Sequence, residues 1–174
     1  MTVPTLQTAR LTLRALQRSD LDDVVRLVND FAVSQWLTMV PYPYGPADAA
    51  EFLHLGQSGA LGPLWVITRD GAMLGVVSVD AELGYWLGTG AWGQGYMTEA
   101  CQAVITHHFA TTSADAIHVN YLDGNLGSRR VLDKLGFVTA GTTCLFSRSQ
   151  GKDMPGHSMV LTRARWQDLR SAAQ

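Results

Sequence analysis

Cysteine is almost missing from this chain. Its 174 residues hold two, Cys101 and Cys144. Neither belongs to a C-x-x-C pair, so there is no disulfide framework and no metal-binding cysteine motif to read. Both are expected to behave as small buried hydrophobes. Charge is scarce as well: 16% of residues are charged, and 13 bases face 15 acids for a formal net charge of −2. That near balance argues against a nucleic-acid partner and against an anionic membrane surface. No stretch approaches the ~18 apolar residues of a membrane span. The opening MTVPTLQTARLTLR has no apolar run after a basic start, so no secretory signal is read. A soluble, cytoplasmic protein is expected. Repeats, low-complexity tracts and linkers are missing too, which points to a single domain over residues 1–174.

What is present is a globular composition, 47% apolar, in a chain long enough for a sizeable core. Leu11 and Leu13 alternate with Thr12 and Arg14 as in a strand. Ser19 to Asp22 resembles a capping box before a helix reaching about Asn29. A short helical piece is expected around Val33 to Leu37. The run from Pro41 to Pro46 breaks the pattern, and Pro46 opens a helix through His54. LWVITR, Asp70-Gly71 and MLGVVSV read as a hairpin, with a further strand at Glu82–Leu87 after a short link. Met97, Ala100, Cys101, Val104, Ile105 and Phe109 recur at helical spacing. A strand at Ala116–Leu122, a helix from Gly124 to Leu135 ended by Gly136, two closing strands and a short tail helix at Trp166 to Arg170 complete the order. This is α+β, or mixed α/β, with one right-handed β-α-β crossover.

The stretch WLGTGAWGQGYMTEA carries Gly88, Gly90, Gly93 and Gly95. Gly88 to Gly93 fits G-x-G-x-x-G, the turn that binds dinucleotides. That turn should follow the first strand of a parallel sheet, with an acidic residue ~20 positions later. Here it follows the fourth strand of an antiparallel run, and Asp123 lies about 30 residues beyond Gly93. No Gly-Lys-Ser/Thr follows, so a Walker A loop is excluded as well. Gly93 and Gly95 instead fall at the mouth of a helix whose first turn is uncharged until Glu99. Unpaired N–H groups and the helix dipole there make an anion site without side-chain charge. Glycine lets a phosphate approach the backbone closely.

ELGYWLGTGAWGQGYMTEA, NLGSRRVLDKLGF, TARLTLRALQRSDLDDV and PYPYGPADAAEFL together resemble the GNAT superfamily of N-acetyltransferases, in its RimJ/RimL-like branch. The resemblance runs from about Leu6 to Leu161. It implies a mostly antiparallel twisted sheet of about six to seven strands, splayed between the fourth (Glu82–Leu87) and the fifth (Ala116–Leu122), flanked by helices. It implies acetyl-CoA as cosubstrate, bound in that opening without a metal, and a primary amine as acceptor, either a protein N-terminus or a small molecule. The backbone of Trp86, Leu87 and Gly88 would pair with the pantetheine arm. Trp92, Gly93, Gln94, Gly95, Tyr96, Met97 and Thr98 would form the pyrophosphate loop. Asn125 would bond the pantetheine, Ser128 would lie near the sulfur, and Arg129, Arg130 or Lys134 would approach the phosphates. The family's loop ends in a small residue where this chain has Met97, a side chain large enough to crowd the pyrophosphate. A homodimer is compatible with the branch, although no seam is visible.

The implied reaction is direct attack of the amine on the thioester. It needs a neutral amine, a stabilised oxyanion and protonation of the leaving thiolate. A backbone N–H near Leu87 is the expected oxyanion donor, Glu82 the candidate base and Ser128 the candidate acid or sulfur partner. An exposed strand-edge carboxylate and a helix cap are the plainer readings of those two side chains. His157 is read as a solvated or core histidine, and His107 and His108 as surface or partly buried. Trp36, Trp65 and Trp86 are expected in the core, with Tyr42 and Tyr44 as lid candidates. A non-catalytic acyl-CoA-binding module on the same fold is the alternative function.

Overall fold

The computed structural model describes residues 3–172. Its elements are β1 (Leu6–Gln7), β2 (Thr12–Arg14), α1 (Leu21–Val28), α2 (Phe31–Ser34), α3 (Pro46–Ser58), β3 (Leu64–Arg69), β4 (Ala72–Val79), β5 (Leu83–Leu87), α4 (Tyr96–Thr111), β6 (Ala116–Leu122), α5 (Leu126–Leu135), β7 (Val138–Ser147), β8 (Lys152–Thr162) and α6 (Arg163–Ser171). The strands form two antiparallel sheets, one in the order β1-β2-β3-β4-β5 and one in the order β6-β8-β7. The eight strands exceed the expected six to seven because β1 is a two-residue strand, too short to show a period in the sequence.

Alternation along the strands sorts side chains to two faces. Trp65, Ile67, Val77, Val79, Leu83 and Leu87 join α4, α5 and α6 in the larger core, through Val104, Ile105, Leu132, Leu135 and Trp166. Leu64, Val66 and Val76 face the other way, onto Val24 and Val28 of α1 and Ala49 of α3. Helices therefore cover both faces of the five-stranded sheet.

The start of α1 differs from the expected capping box. A single 3-10 turn, Arg18–Asp20, precedes the helix. The Asp20 carboxylate, 4% exposed, accepts from the Gln17 N–H (2.8 Å) and from both terminal nitrogens of Arg14 (2.7 and 2.8 Å). Asp20, three residues after Gln17, caps the turn, and Ser19 stays at the surface. Three other expectations are corrected by burial. Cys144 is exposed while Cys101 is buried. Tyr44 is a core residue and no lid, its phenol pushed up to about 12 by burial and by nearby Asp48. His108 is buried among the α4 core residues, with burial lowering its pKa and its Nε2 without a partner.

Candidate active site

Strands β5 and β6 run parallel and meet at one place. Glu82 bridges His118, whose N–H donates to Ala81 O at 2.9 Å. Beyond it no backbone hydrogen bond joins the two strands among the described residues, so they open like a V toward their C-terminal ends. Backbone groups of successive residues in an antiparallel ladder face alternate sides. The Gly88 N–H donates to Leu74 O of β4 at 2.9 Å, so Trp86 and Gly88 spend their backbone on β4. Tyr85 and Leu87 turn theirs to the opening. Leu87 O accepts the Trp92 indole N–H at 2.8 Å, and the Leu87 N–H faces the gap. Of the Trp86 to Gly88 backbone, only Leu87 faces the opening, as does Tyr85.

The glycine loop stands at the wide end of the V. Gly93 (φ 74°) and Gly95 (φ 80°) hold the left-handed conformation that an L side chain resists. Gly95 caps α4, and the first helical bond is Glu99 N–H to Gly95 O at 3.1 Å. The N–H groups of Tyr96, Met97 and Thr98 therefore have no acceptor within the helix. Nothing lies within 4 Å of where a Gly93 side chain would begin, so the mouth is open.

Met97 does not crowd it. Its side chain is 6% exposed and sits in the larger core, where burial contributes about 1.5–3 kcal/mol. Tyr96 is buried beside it and accepts a hydrogen bond from Arg69.

Arg10, a residue the sequence reading passed over, braces the loop from outside. Its Nε pairs with Glu99 Oε2 at 2.7 Å, its Nη1 donates to Gln94 O at 2.9 Å, and its guanidinium lies 4.6 Å from the Tyr96 ring centre. Burial raises the Glu99 pKa, but hydrogen bonds from Thr8 and Arg10 outweigh it and the net shift is downward.

Across the V, α5 starts with Asn125 as its cap: Asn125 Oδ1 accepts from the Ser128 N–H at 3.1 Å. The cap is therefore Asn125, which leaves the Ser128 hydroxyl for other work. That hydroxyl is 2.8 Å from the Tyr85 hydroxyl. Burial drives the Tyr85 pKa up, helped by Cys101 and Tyr121 and opposed by the bond to Ser128, so the phenol stays protonated. Arg129 is committed to Asp133 (2.9 Å) and to the Tyr121 hydroxyl (3.2 Å), while Arg130 and Lys134 are exposed.

The other side of the V is walled by α2 and the segment after it. Thr89 donates to Asp30 at 3.2 Å near the end of β5, and a side chain at Gly124 would touch the Trp36 ring at 3.7 Å near the end of β6. The turn between β7 and β8 docks there, with Arg148 N–H to Thr38 O and Ser149 Oγ to Ser34 O, both at 2.9 Å. Phe31 and Tyr42 form an exposed ring pair, 5.0 Å between centres. Glu82 is exposed at the closed end of the V, 3.5 Å from Asn120 Nδ2. His157 lies on the α5 side, paired with Asp123 at 2.9 Å and packed on Tyr121. Among the described residues no group of three or more His, Cys, Asp or Glu could hold a metal ion, and no helix is long and apolar enough to cross a membrane.

The fold is found in known proteins. The family model of the acetyltransferase (GNAT) domain matches residues 10–138. The uncharacterized N-acetyltransferase p20 of Bacillus licheniformis is 26% identical over 160 residues, covering 85% of this chain and 90% of that protein. RimL, a ribosomal L7/L12 alpha-N-protein acetyltransferase solved in complex with coenzyme A, shares the fold with a TM-score of 0.77 at 20% identity, covering 93% of this chain and 99% of that one. Mycobacterium smegmatis RimJ in complex with CoA-disulfide gives a TM-score of 0.77 at 20% identity, over 98% of this chain and 95% of its own. With the splayed sheet, the glycine loop and a family match over most of its length, the chain belongs to the GNAT acetyltransferase family.

Proposed function

We propose that the protein transfers an acetyl group from acetyl-CoA to a primary amine, a protein N-terminal α-amine or a small-molecule amine, by direct attack within a ternary complex. The observation that carries this reading is the presence of two features in one V. The open edge of β5 presents the Leu87 N–H, and the mouth of α4 presents the unpaired amides of Tyr96, Met97 and Thr98. The diphosphate of coenzyme A suits the second, where Gly93 and Gly95 allow close approach. The thioester carbonyl suits the first, where an N–H already aimed into the gap stabilises the oxyanion without reorganisation. Asn125 Nδ2 is left for the pantetheine amides, since Oδ1 is spent on the helix cap. Arg130 is the exposed cation for the outer phosphates.

Glu82 takes the amine's proton, directly or through water. Little is asked of it when the acceptor is an α-amine, because a pKa of ~7.7–8.0 leaves a large neutral fraction at neutral pH. A lysine-type amine at ~10.4 would need far more help. An exposed Glu82 at the closed end of the V would equally suit a non-catalytic acyl-CoA-binding module. Thiol release separates the two readings. Incubated with acetyl-CoA and a panel of peptides and small amines, the protein should liberate free thiol with at least one acceptor. Coenzyme A binding without release on any of them would favour the module. A cytoplasmic location and a homodimer go with the enzyme reading, and sedimentation analysis tests the dimer.

A further inference from the structure

The Tyr85 side chain has no part in the reading above, yet its hydroxyl ties β5 to α5. Its ring leaves β5 in the free half of the strand, beyond the Glu82–His118 bridge, and its hydroxyl reaches Ser128 Oγ at 2.8 Å. The Ser128 carbonyl lies farther off, at 3.4 Å. Either hydroxyl can donate in the short contact; the arrangement in which Tyr85 donates leaves Ser128 accepting. A serine that accepts from behind has its own O–H left to point forward. Ser128 sits in the first turn of α5, with its backbone N–H fixed by Asn125 and its hydroxyl by Tyr85. Tyr85 is half-buried at the floor of the V, against the larger core.

We infer that Tyr85 is the positioning residue that turns the Ser128 hydroxyl into a hydrogen-bond donor for the sulfur of coenzyme A. This rests on the acetyl-CoA reading above and adds how the leaving group is handled. In the reaction the amine nitrogen bonds to the acetyl carbon and the carbon–sulfur bond breaks, leaving its electron pair on sulfur. Ser128 donates a hydrogen bond to that thiolate, and Tyr85 donates one to Ser128. Neither hydroxyl gives up its proton. The surplus proton of the amine goes to Glu82 or water, and the thiolate is reprotonated from solvent. Burial keeps the Tyr85 phenol protonated, so it has a hydrogen to donate.

The test needs no knowledge of the acceptor, because it reads the thiol of bound coenzyme A. Coenzyme A is bound to the wild-type chain, Tyr85→Phe, Ser128→Ala and the double variant. The thiol is then titrated by the ultraviolet absorbance of the thiolate, as loaded-minus-free difference spectra. Tyr85→Phe keeps the ring in the core and removes only the hydroxyl; thermal melting verifies its fold. The wild-type thiol should titrate below that of free coenzyme A. Tyr85→Phe should raise it about tenfold in proton affinity, one pKa unit, with coenzyme A affinity changed less than about twofold. The double variant should match Ser128→Ala alone, since Tyr85 acts only through Ser128. A Tyr85→Phe thiol that titrates as in wild type, or effects of the two substitutions that add, overturns the proposal while the acetyl-CoA reading stands. Failure of the wild-type chain to bind coenzyme A overturns that reading, and this one with it.

Discussion

Replacing Gly95 by glutamate should remove coenzyme A binding and spare the fold. The position caps α4 at φ 80°, where a side chain costs about 1–2 kcal/mol of stability. A new Cβ meets one atom within 4 Å, Arg10 Nη2 at 3.4 Å, the tip of a long side chain that can give by a few tenths of an ångström. A carboxylate at a helix N-terminus gains about 0.3–1 kcal/mol from the dipole, which offsets part of the strain. Binding is another matter. The new carboxylate occupies the amides of Tyr96, Met97 and Thr98 that the diphosphate needs, and it repels the phosphates. Two unit charges ~4 Å apart near a protein surface repel by about 4 kcal/mol before salt screening. Taking about 3 kcal/mol as the net loss gives a Kd roughly a hundredfold weaker. Calorimetric titration with coenzyme A measures it, beside thermal melting of the same variant. Gly95→Gln carries the strain without the charge and should lose clearly less. An affinity within twofold of wild type for Gly95→Glu would mean that the phosphates bind elsewhere.

Asn125→Ala removes the α5 cap and should lower stability by about 1 kcal/mol in denaturant titration, while also weakening coenzyme A binding. Glu82→Gln should reduce kcat on an α-amine acceptor only about tenfold, below the ~10²–10⁴-fold of an essential general base; a full loss would make Glu82 the sole route for the proton. Asp20 should give the fold an acid-labile contribution. Burial raises its pKa, but hydrogen bonds from Arg14 and the Gln17 N–H, with the Arg14 charge, lower it further. A depressed carboxylate contributes stability that is full above its unfolded value of ~3.9 and is lost as pH falls through the folded value. Urea titrations between pH 6 and pH 2, values chosen as about two units either side of ~3.9, should show Asp20→Asn losing less stability on acidification than wild type.

Much of the fold was legible because its signals are local. The helical stripe from Met97 to Phe109, the Asp70-Gly71 hairpin and the Gly136 stop each sit within a few residues of what they control. Met97 shows the same point from the other side. Its place in that apolar stripe already assigned the side chain to the core, and only a comparison with small family residues suggested crowding at the loop mouth. The site was legible where it is backbone: glycines at a helix start have one structural meaning whatever surrounds them. It was illegible where it depends on contacts between distant segments. Arg10 meets Glu99, and Tyr85 meets Ser128, across separations that no periodicity reports. Tyr85 in particular lies in the aromatic run Tyr85-Trp86, whose two rings part to opposite faces of the sheet. The insertion of β8 between β6 and β7 is likewise a matter of sheet order, which strand spacing alone does not encode.

The central claim is that one V holds both ends of the cofactor, with its diphosphate at the mouth of α4 and its sulfur between Leu87 and Ser128. A crystal structure of the complex with coenzyme A tests it most directly. Diphosphate oxygens should lie within hydrogen-bonding distance of amides between Gly93 and Thr98, with the sulfur beside the Ser128 hydroxyl and Tyr85 still bonded behind it. A diphosphate bound away from Gly93 and Gly95, or a sulfur on the far side of β5 from Ser128, would contradict the account.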